Sequence, residues 1–83
     1  MKLRVEVGRL LNACILLKVV RIKTYAILNA VKEIGSVKKA YLTHGRFDIA
    51  IFVEVADYRE LREITSKING IEGIRSTETL AEA

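Results

Sequence analysis

Hydrophobic positions along this chain follow two different periods. Five stretches are apolar at every second position or throughout, which is the pattern of strands: residues 2–7, 13–20, 37–44, 48–55 and 74–81. Apolar residues at helical spacing fill two others, one from Thr24 to a C-cap at Gly35 and one from Asp57 to Gly70, where Glu60 completes a capping-box pattern. From residue 13 onward the order is therefore strand, helix, strand, strand, helix, strand.

This order predicts an α+β domain with the ferredoxin-like βαββαβ plan. Because crossover connections are right-handed, the antiparallel sheet should have the strand order 4-1-3-2, with both helices on one face. Residues 13–83 form this domain, and residues 1–12 are an N-terminal extension. Leu3, Val5 and Val7 alternate with polar residues in the extension. We therefore expect a short strand at residues 2–7 that pairs with a sheet edge of its own or a partner chain; a frayed tail is the alternative.

The second and third strands meet at a short turn. Gly45 and Arg46 stand at its centre, and a glycine in first place suits a two-residue type II′ hairpin. Counted outward from this turn, the predicted strand pairs are His44–Phe47, Thr43–Asp48, Leu42–Ile49, Tyr41–Ala50 and Ala40–Ile51. Since side chains alternate across a sheet, Leu42 should face the helices, whereas Tyr41 and Phe52 should lie on the other face.

The sheet face away from the helices is predicted to be largely apolar. Leu16 from the first strand, together with Tyr41 and Phe52, would be exposed to water in a single chain. Exposed apolar surfaces of this kind usually mark an interface. We therefore expect homodimers that pack sheet against sheet as an α/β sandwich, with these three residues in the interface.

Charge is unevenly distributed and argues against nucleic-acid binding. The net charge of the 83 residues is +4, but residues 1–23 carry six basic and one acidic side chain, whereas residues 24–83 carry eight basic and nine acidic ones. The positive charge therefore lies at the amino end, and residues 24–83 lack the concentrated basic face that phosphate binding requires. We expect no direct DNA binding.

Cysteine, histidine and hydropathy exclude several other classes of protein. With one Cys, Cys14, and one His, His44, neither an internal disulfide nor the usual metal site can form, and we expect no cofactor. No apolar run approaches the roughly 18 residues of a membrane span, and the first residues lack a signal-peptide core. These features predict a cytoplasmic protein that does not contact membranes.

Two stretches, AYLTHGRFDIAIFVEV and NGIEGIRSTETLA, resemble the effector-binding (RAM) domain of the leucine-responsive/asparagine regulator (Lrp/AsnC) family. The most specific pieces are the turn G-x-x-D, here Gly45 to Asp48, and the final-strand pattern S-T-x-T, here Ser76 to Thr79, which follows Gly73-Ile74. The resemblance covers about residues 13–81. Family regulators also carry an N-terminal helix-turn-helix domain, and twelve residues cannot hold one. The chain therefore resembles a stand-alone RAM domain, to which operator binding does not carry over.

The resemblance implies dimers that pair their sheets, larger rings such as octamers, and an amino-acid effector bound between subunits. The effector-binding residues that it implies lie at the hairpin turn and on the final strand: Gly45, Arg46, Asp48, Ser76, Thr77 and Thr79. Asp48 would pair with the effector's ammonium, and backbone N–H groups near Gly45 with the hydroxyls of Thr77 and Thr79 would hold its carboxylate. Because strand 1 separates strands 3 and 4, Asp48 and the threonines should meet only between chains. Asp48 as a turn residue and the threonines as ordinary strand formers are the alternatives.

Three classes of function compete. The first is an oligomeric, non-catalytic amino-acid-binding module that modulates transcription by co-assembly with full-length Lrp/AsnC regulators. The second is an acylphosphatase-like enzyme, which needs a Gly-rich phosphate loop and a catalytic Asn; residues 19–25 contain no such loop, and Asn29 lies within a predicted helix. The third is an RNA-binding or purely structural ferredoxin-like domain. RNA binding would require exposed aromatic residues beside basic ones on the central strands.

Overall fold

The computed structural model of the chain describes residues 10–82. Its strands are β1 (Leu11–Val19), β2 (Val37–Leu42), β3 (Ile49–Val55) and β4 (Ile74–Ala81). Its helices are α1 (Thr24–Lys32), which follows a 3₁₀ turn at Arg21–Lys23, and α2 (Tyr58–Asn69). The order of elements confirms the predicted βαββαβ plan. The strand predicted at residues 2–7 lies outside the described residues.

The four strands form one antiparallel sheet in the order β2-β3-β1-β4, which confirms the predicted 4-1-3-2 order. The two central strands are the most apolar, and each turns alternate side chains into a single core. Both helices contribute to that same core, so they lie on one face of the sheet. The buried core residues are Ala13, Ile15, Leu17, Val19, Ile27, Leu28, Val31, Ile49, Ile51, Val53, Val55, Leu61, Ile64 and Ile68. Full burial of an Ile or Leu side chain stabilises the fold by about 1.5–3 kcal/mol.

The first helix ends differently from the prediction. Its C-cap is Glu33, in the right-handed helical conformation, and not Gly35. The last turn tightens instead, because the N–H of Glu33 donates to Ala30 O (3.2 Å) and that of Ile34 to Val31 O (3.1 Å). These bonds use carbonyls that a left-handed glycine would otherwise help to satisfy, so no such cap is needed.

The predicted N-cap of the second helix is confirmed. The Asp57 carboxylate accepts a hydrogen bond from the Glu60 N–H (2.9 Å). Glu60 reaches one residue farther back than in a standard capping box and accepts from the N–H of Ala56 (2.8 Å). Its second oxygen accepts from the Ser36 hydroxyl (3.0 Å), which ties α2 to the loop before β2.

The connection between β2 and β3 is wider than predicted. The pairs Leu42–Ile49, Tyr41–Ala50 and Ala40–Ile51 are confirmed, but the ladder ends at Leu42 and Ile49. Beyond it, the N–H of Thr43 donates to Asp48 O (2.9 Å), and within the described residues no backbone bond joins His44 to Phe47. The tight two-residue turn is therefore wrong, although Gly45 does adopt a positive φ of 108°.

Leu42 is less buried than its position in the register predicts. It pairs with the fully buried Ile49, yet 41% of its surface is exposed. β2 is an edge strand, so no neighbouring strand covers its outer side. A bulge between Val37 and Lys39, where Lys38 is the additional residue, further loosens this edge.

Neither helix of the described residues has the length and apolar composition needed to cross a membrane.

Candidate functional site

Asp48 lies where β3 begins, against the end of the central strand β1. Its N–H donates to Leu17 O (2.7 Å), and its carbonyl accepts from the N–H of Thr43. One carboxylate oxygen, Oδ2, accepts from the backbone N–H of Val19 (2.9 Å) in a partly buried environment. The side chain thus supplies an acceptor at the point where the β1–β4 register shifts, between Lys18 and Val19. This bond is why a strand end tolerates a carboxylate here, since a buried N–H without a partner costs about 1–3 kcal/mol.

A charged residue of β1, Lys18, contacts the hairpin loop that precedes Asp48. The Lys18 ammonium donates to the carbonyl of Arg46 (3.2 Å), and the Thr43 hydroxyl donates to the carbonyl of Phe47 (2.7 Å). The sequence reasoning missed Lys18. A signal existed, because Lys18 is the one charged residue in the apolar stretch from Ala13 to Val20.

The sheet places the three predicted β4 residues on two different faces. Residues that oppose each other in an antiparallel pair share a face. Ser76 opposes Lys18, whereas Thr77 opposes Leu17 and Thr79 opposes Ile15. Leu17 and Ile15 are fully buried beneath the helices, so both threonines lie on the helix side of this edge strand. Only Ser76 shares a face with Lys18.

Asp48 and the two threonines do not come together within one chain. β1 lies between β3 and β4 in the strand order. The structure therefore joins Asp48, Lys18 and the hairpin loop into one cluster, with Ser76 on the adjacent edge strand. Thr77 and Thr79 form a separate group at the outer edge.

The sheet face away from the helices carries the predicted interface residues; we call it the open sheet face. Tyr41 and Phe52 are 46% and 40% exposed. Their rings meet edge to face with centroids 5.8 Å apart. Across the sheet, Cys14 opposes Phe52 on one side and Leu80 on the other, and Leu16 opposes Ala50. This continuous apolar surface spans all four strands.

Cys14 lies in the middle of the open sheet face. Burial raises the pKa of its thiol above the ordinary value, because desolvation disfavours the thiolate. The neutral thiol therefore acts as a small apolar group on this surface.

A depression of about 380 Å³ opens on this face, far from Asp48. Its walls include Tyr41 and Phe52, and an ion pair between Lys38 and Glu54 (3.4 Å) stands at its rim. The depression lies by Asn12 at the beginning of β1, whereas Asp48 meets β1 at its end.

Among residues 10–82, no group of three His, Cys, Asp or Glu side chains comes together to hold a metal ion.

Comparison with known proteins agrees with the fold. The family model described as the Lrp/AsnC ligand binding domain matches residues 12–81. A solved structure from Thermus thermophilus is 27% identical, with a TM-score of 0.86, over 88% of this chain and 92% of that one. Escherichia coli AsnC is also 27% identical, with a TM-score of 0.81, over 87% of this chain and 50% of that one. This chain thus spans half the length of AsnC.

A more distant likeness shows the fold alone. A transcriptional regulator from Neisseria meningitidis, solved as a complex with L-Met, is 15% identical over 100% of this chain and 55% of that one, with a TM-score of 0.74. Among curated proteins, no sequence matches. The family model nevertheless covers both helices and all of the sheet except Leu11, from Asn12 in β1 to Ala81 at the end of β4. The chain therefore belongs to the Lrp/AsnC ligand-binding domain family.

Proposed function

We propose that this domain binds a free amino acid at an interface between associated chains, and that it has no catalytic role. The observation that carries the proposal is that one oxygen of the Asp48 carboxylate is hydrogen-bonded, whereas the other is available to a ligand. Oδ2 is held by the N–H of Val19, which fixes the group in place, and Oδ1 has no hydrogen-bond partner among residues 10–82. A fixed carboxylate at a strand end is well suited to pair with an ammonium group.

The ligand's carboxylate needs donors, and the same cluster contains them. The Lys18 ammonium reaches the Arg46 carbonyl in the hairpin loop that precedes Asp48, and the Arg46 guanidinium and the N–H of Gly45 belong to the same loop. Hydroxyls of Ser76, Thr77 and Thr79 would come from the β4 edge of another chain, because β1 keeps Thr77 and Thr79 from Asp48 within one chain. The site is then complete only in an assembly.

Association is expected first through the open sheet face. Because Thr77 and Thr79 lie on the helix side of β4, they would reach the Asp48 of another chain only through a further contact at the β4 edge. The open sheet face carries Leu16, Tyr41 and Phe52, and an exposed apolar surface of this kind favours pairing with a second chain. A homodimer that packs sheet against sheet follows, with larger rings such as an octamer built from dimers.

A role in transcription regulation follows from the family. AsnC carries the same domain within a chain twice as long. We infer that the present domain, located in the cytoplasm, acts on full-length Lrp/AsnC regulators by co-assembly through the shared surface. It does not bind DNA itself, since residues 24–83 carry nine acidic and eight basic side chains.

One observation favours a second candidate, a single-stranded RNA ligand. Tyr41 and Phe52 are exposed beside Lys38 and Lys39 on β2 and β3, and stacking of bases on such aromatic rings is typical of RNA-binding ferredoxin-like domains. The two rings already pack against each other, and Glu54 pairs with Lys38. Both features weaken this candidate.

The test is a thermal-shift screen of the whole chain against the common amino acids at millimolar concentration, with a hit followed by calorimetry. At least one amino acid should raise the melting temperature, because a ligand that binds only the folded state stabilises it. A gel-shift assay with single-stranded RNA at low and high salt runs in parallel. No shift with any amino acid contradicts the proposal, and salt-sensitive RNA binding would favour the second candidate.

A further inference from the structure

The strand register arranges the open sheet face into rows of side chains that cross all four strands. From β2 to β4, the first row consists of Lys39, Phe52, Cys14 and Leu80. In the same order, the second row consists of Tyr41, Ala50, Leu16 and Glu78. Each row therefore has apolar residues in its middle and a charge at one edge of the sheet only.

The charges of these two rows lie at opposite edges. Lys39 is exposed on β2, and Glu78 is exposed on β4. Within residues 10–82, neither side chain forms an ion pair. Both charges are thus available to a partner that covers the face.

The other charges on this face have contacts in their own chain or lie outside the two rows. Lys38 pairs with Glu54, and the Lys18 ammonium donates to a carbonyl of the hairpin loop. Arg75 and Glu82 stand at the two ends of β4, where Arg75 is the additional residue at the register shift and Glu82 accepts from the first residues of β1.

A second copy can cover this face in two ways. Sheets that pack face to face in the aligned manner keep their strands within about 30° of each other. A two-fold axis between two such sheets runs either along the strands or across them. An axis along the strands places β2 of one chain over β4 of the other. An axis across the strands places β2 over β2 and β4 over β4.

Charge favours the axis along the strands. Lys39 of each chain then lies over Leu80 of the other, one row away from Glu78. Neighbouring rows are two residues, or about 7 Å, apart, which a lysine side chain can span. Tyr41 faces Glu78 directly, so that its hydroxyl can donate to the carboxylate. An axis across the strands would instead gather both Lys39 side chains at one edge and both Glu78 side chains at the other, where like charges repel.

The sizes of the facing side chains fit the same axis. Phe52 of each chain faces Cys14 of the other, and Leu16 faces Ala50. Large residues thus meet small ones, as interdigitated layers require. Leu80, which is 53% exposed, comes over the rim of the depression of about 380 Å³ beside Phe52. The second chain therefore supplies an apolar side chain to this depression.

We propose that the sheet-paired dimer has its two-fold axis along the strands and that Lys39, Glu78 and Leu80 determine this orientation. The inference rests on the sheet pairing proposed above. Rotation about such an axis keeps each strand end at the same end of the sandwich. Both hairpin loops, each followed by its Asp48, then lie at one end of the dimer.

Charge exchange tests the contacts at the edges. Lys39→Glu or Glu78→Lys alone should weaken dimerisation about 2- to 30-fold, because each dimer loses two ion pairs. The double exchange should recover the parent's dissociation constant. An equimolar mixture of the two single variants should recover it too, since a mixed dimer again contains two pairs of opposite charge. Sedimentation equilibrium measures the constants, and Glu63→Lys, exposed on α2, is the control that should leave them unchanged.

Cysteine cross-linking tests the geometry. Lys39→Cys and Leu80→Cys chains, each on a Cys14→Ala background, are mixed and treated with a short bis-maleimide. Facing sheets lie about 10 Å apart, which is too far for a direct disulfide. The mixture should give cross-linked dimers about tenfold faster than either chain alone, because Lys39 faces Leu80 and not its own copy. Thr79→Cys in place of Leu80→Cys is the matched control, since Thr79 lies on the helix side of β4.

The outcomes distinguish the axis from the pairing itself. A parent that dimerises while both single charge variants dimerise equally well would overturn the proposed axis and leave sheet pairing intact. Self-linking of Lys39→Cys chains at the rate of the mixture would do the same. A parent that stays monomeric would overturn sheet pairing and the axis together. Amino-acid binding is measured separately, by the thermal-shift screen.

Discussion

At the scale of single residues, Asp48 combines a structural contact with a candidate binding role. Its carboxylate accepts from the Val19 N–H at 2.9 Å and thereby closes the end of the central strand. The same bond fixes the group against β1, and the neighbouring Lys18 of β1 reaches the Arg46 carbonyl in the hairpin loop. Removal of the side chain and removal of its charge should therefore have different effects.

Asp48→Ala and Asp48→Asn separate the two roles. Alanine leaves the Val19 N–H without a partner and should lower the free energy of unfolding by about 1–3 kcal/mol. Asparagine keeps an oxygen acceptor, so its stability should stay near that of the parent. Both should weaken amino-acid binding, the Asn variant by about 1.5–3 kcal/mol, or one to two decades in Kd. Urea unfolding and calorimetry measure the two effects. An Asn variant that binds like the parent would contradict the proposed role of Asp48.

At the scale of elements, the segment before α1 and the α2–β4 loop are packed against each other. The N–H of Val20 donates to Gly73 O at 2.8 Å. Gly73 has a positive φ of 101°, and a Cβ there would stand 3.0 Å from both the Cδ1 of Ile27 and the Cδ of Lys23. Backbone and packing therefore both require glycine at this junction.

Gly73→Ala should destabilise the domain by about 1–3 kcal/mol, because the residue would be strained at its φ and would crowd Ile27. Gly35→Ala is the matched control. Gly35 is not among the positive-φ glycines, and a Cβ there meets no atom within 4 Å. Its free energy of unfolding should be unchanged or slightly raised. Chemical denaturation of both variants gives the comparison, and equal stability would show that the loop can adjust.

At the scale of the whole molecule, one face of the sheet is covered by helices and the other is open. Central strands that are apolar on both sides leave Leu16, Cys14 and Phe52 without cover from the chain's own helices. Pairing of this open sheet face with that of a second chain, as proposed above, would bury these side chains.

Phe52→Lys and Leu16→Glu should each weaken association, because a charge would be buried in an apolar interface. Sedimentation equilibrium should show a dimer or larger species for the parent at micromolar concentration and a shift toward monomer for both variants. Arg62→Glu, on the charged surface of α2, is the control and should leave the mass unchanged. A parent that is a folded monomer at that concentration would contradict sheet pairing.

A mixing experiment tests whether the site is shared between chains. Asp48→Asn and Thr77→Val should each weaken amino-acid binding, the Val change by about 0.5–1.5 kcal/mol because a neutral hydroxyl contributes less than a charged group. When the two variants are mixed and reassembled, some interfaces contain an intact Asp48 and an intact Thr77. Calorimetry should then detect sites of parental affinity. If the mixture showed no sites of parental affinity, this would contradict a binding site that is shared between chains.

The order of elements and the core could be read from the sequence, because local periodicity and caps decide them. The alternation in β3 and the Asp57 cap of α2 predicted both elements, and crossover handedness then left one strand order. The Gly35 cap and the tight hairpin were wrong. In both places, backbone hydrogen bonds made by neighbouring residues replaced the geometry that the glycine pattern favoured.

The candidate site depended on tertiary structure to a greater extent. The G-x-x-D and S-T-x-T patterns led to Asp48 and Ser76, but only the register showed that Thr77 and Thr79 lie on the helix side. Asp48 meets Val19, and Lys18 meets the hairpin loop, because β1 runs beside β3 with a particular register, and these contacts link residues 28 or more positions apart. Local sequence determines which segments become strands and helices; which side chains meet depends on long-range pairing, whose energy comes from packing the whole core at once.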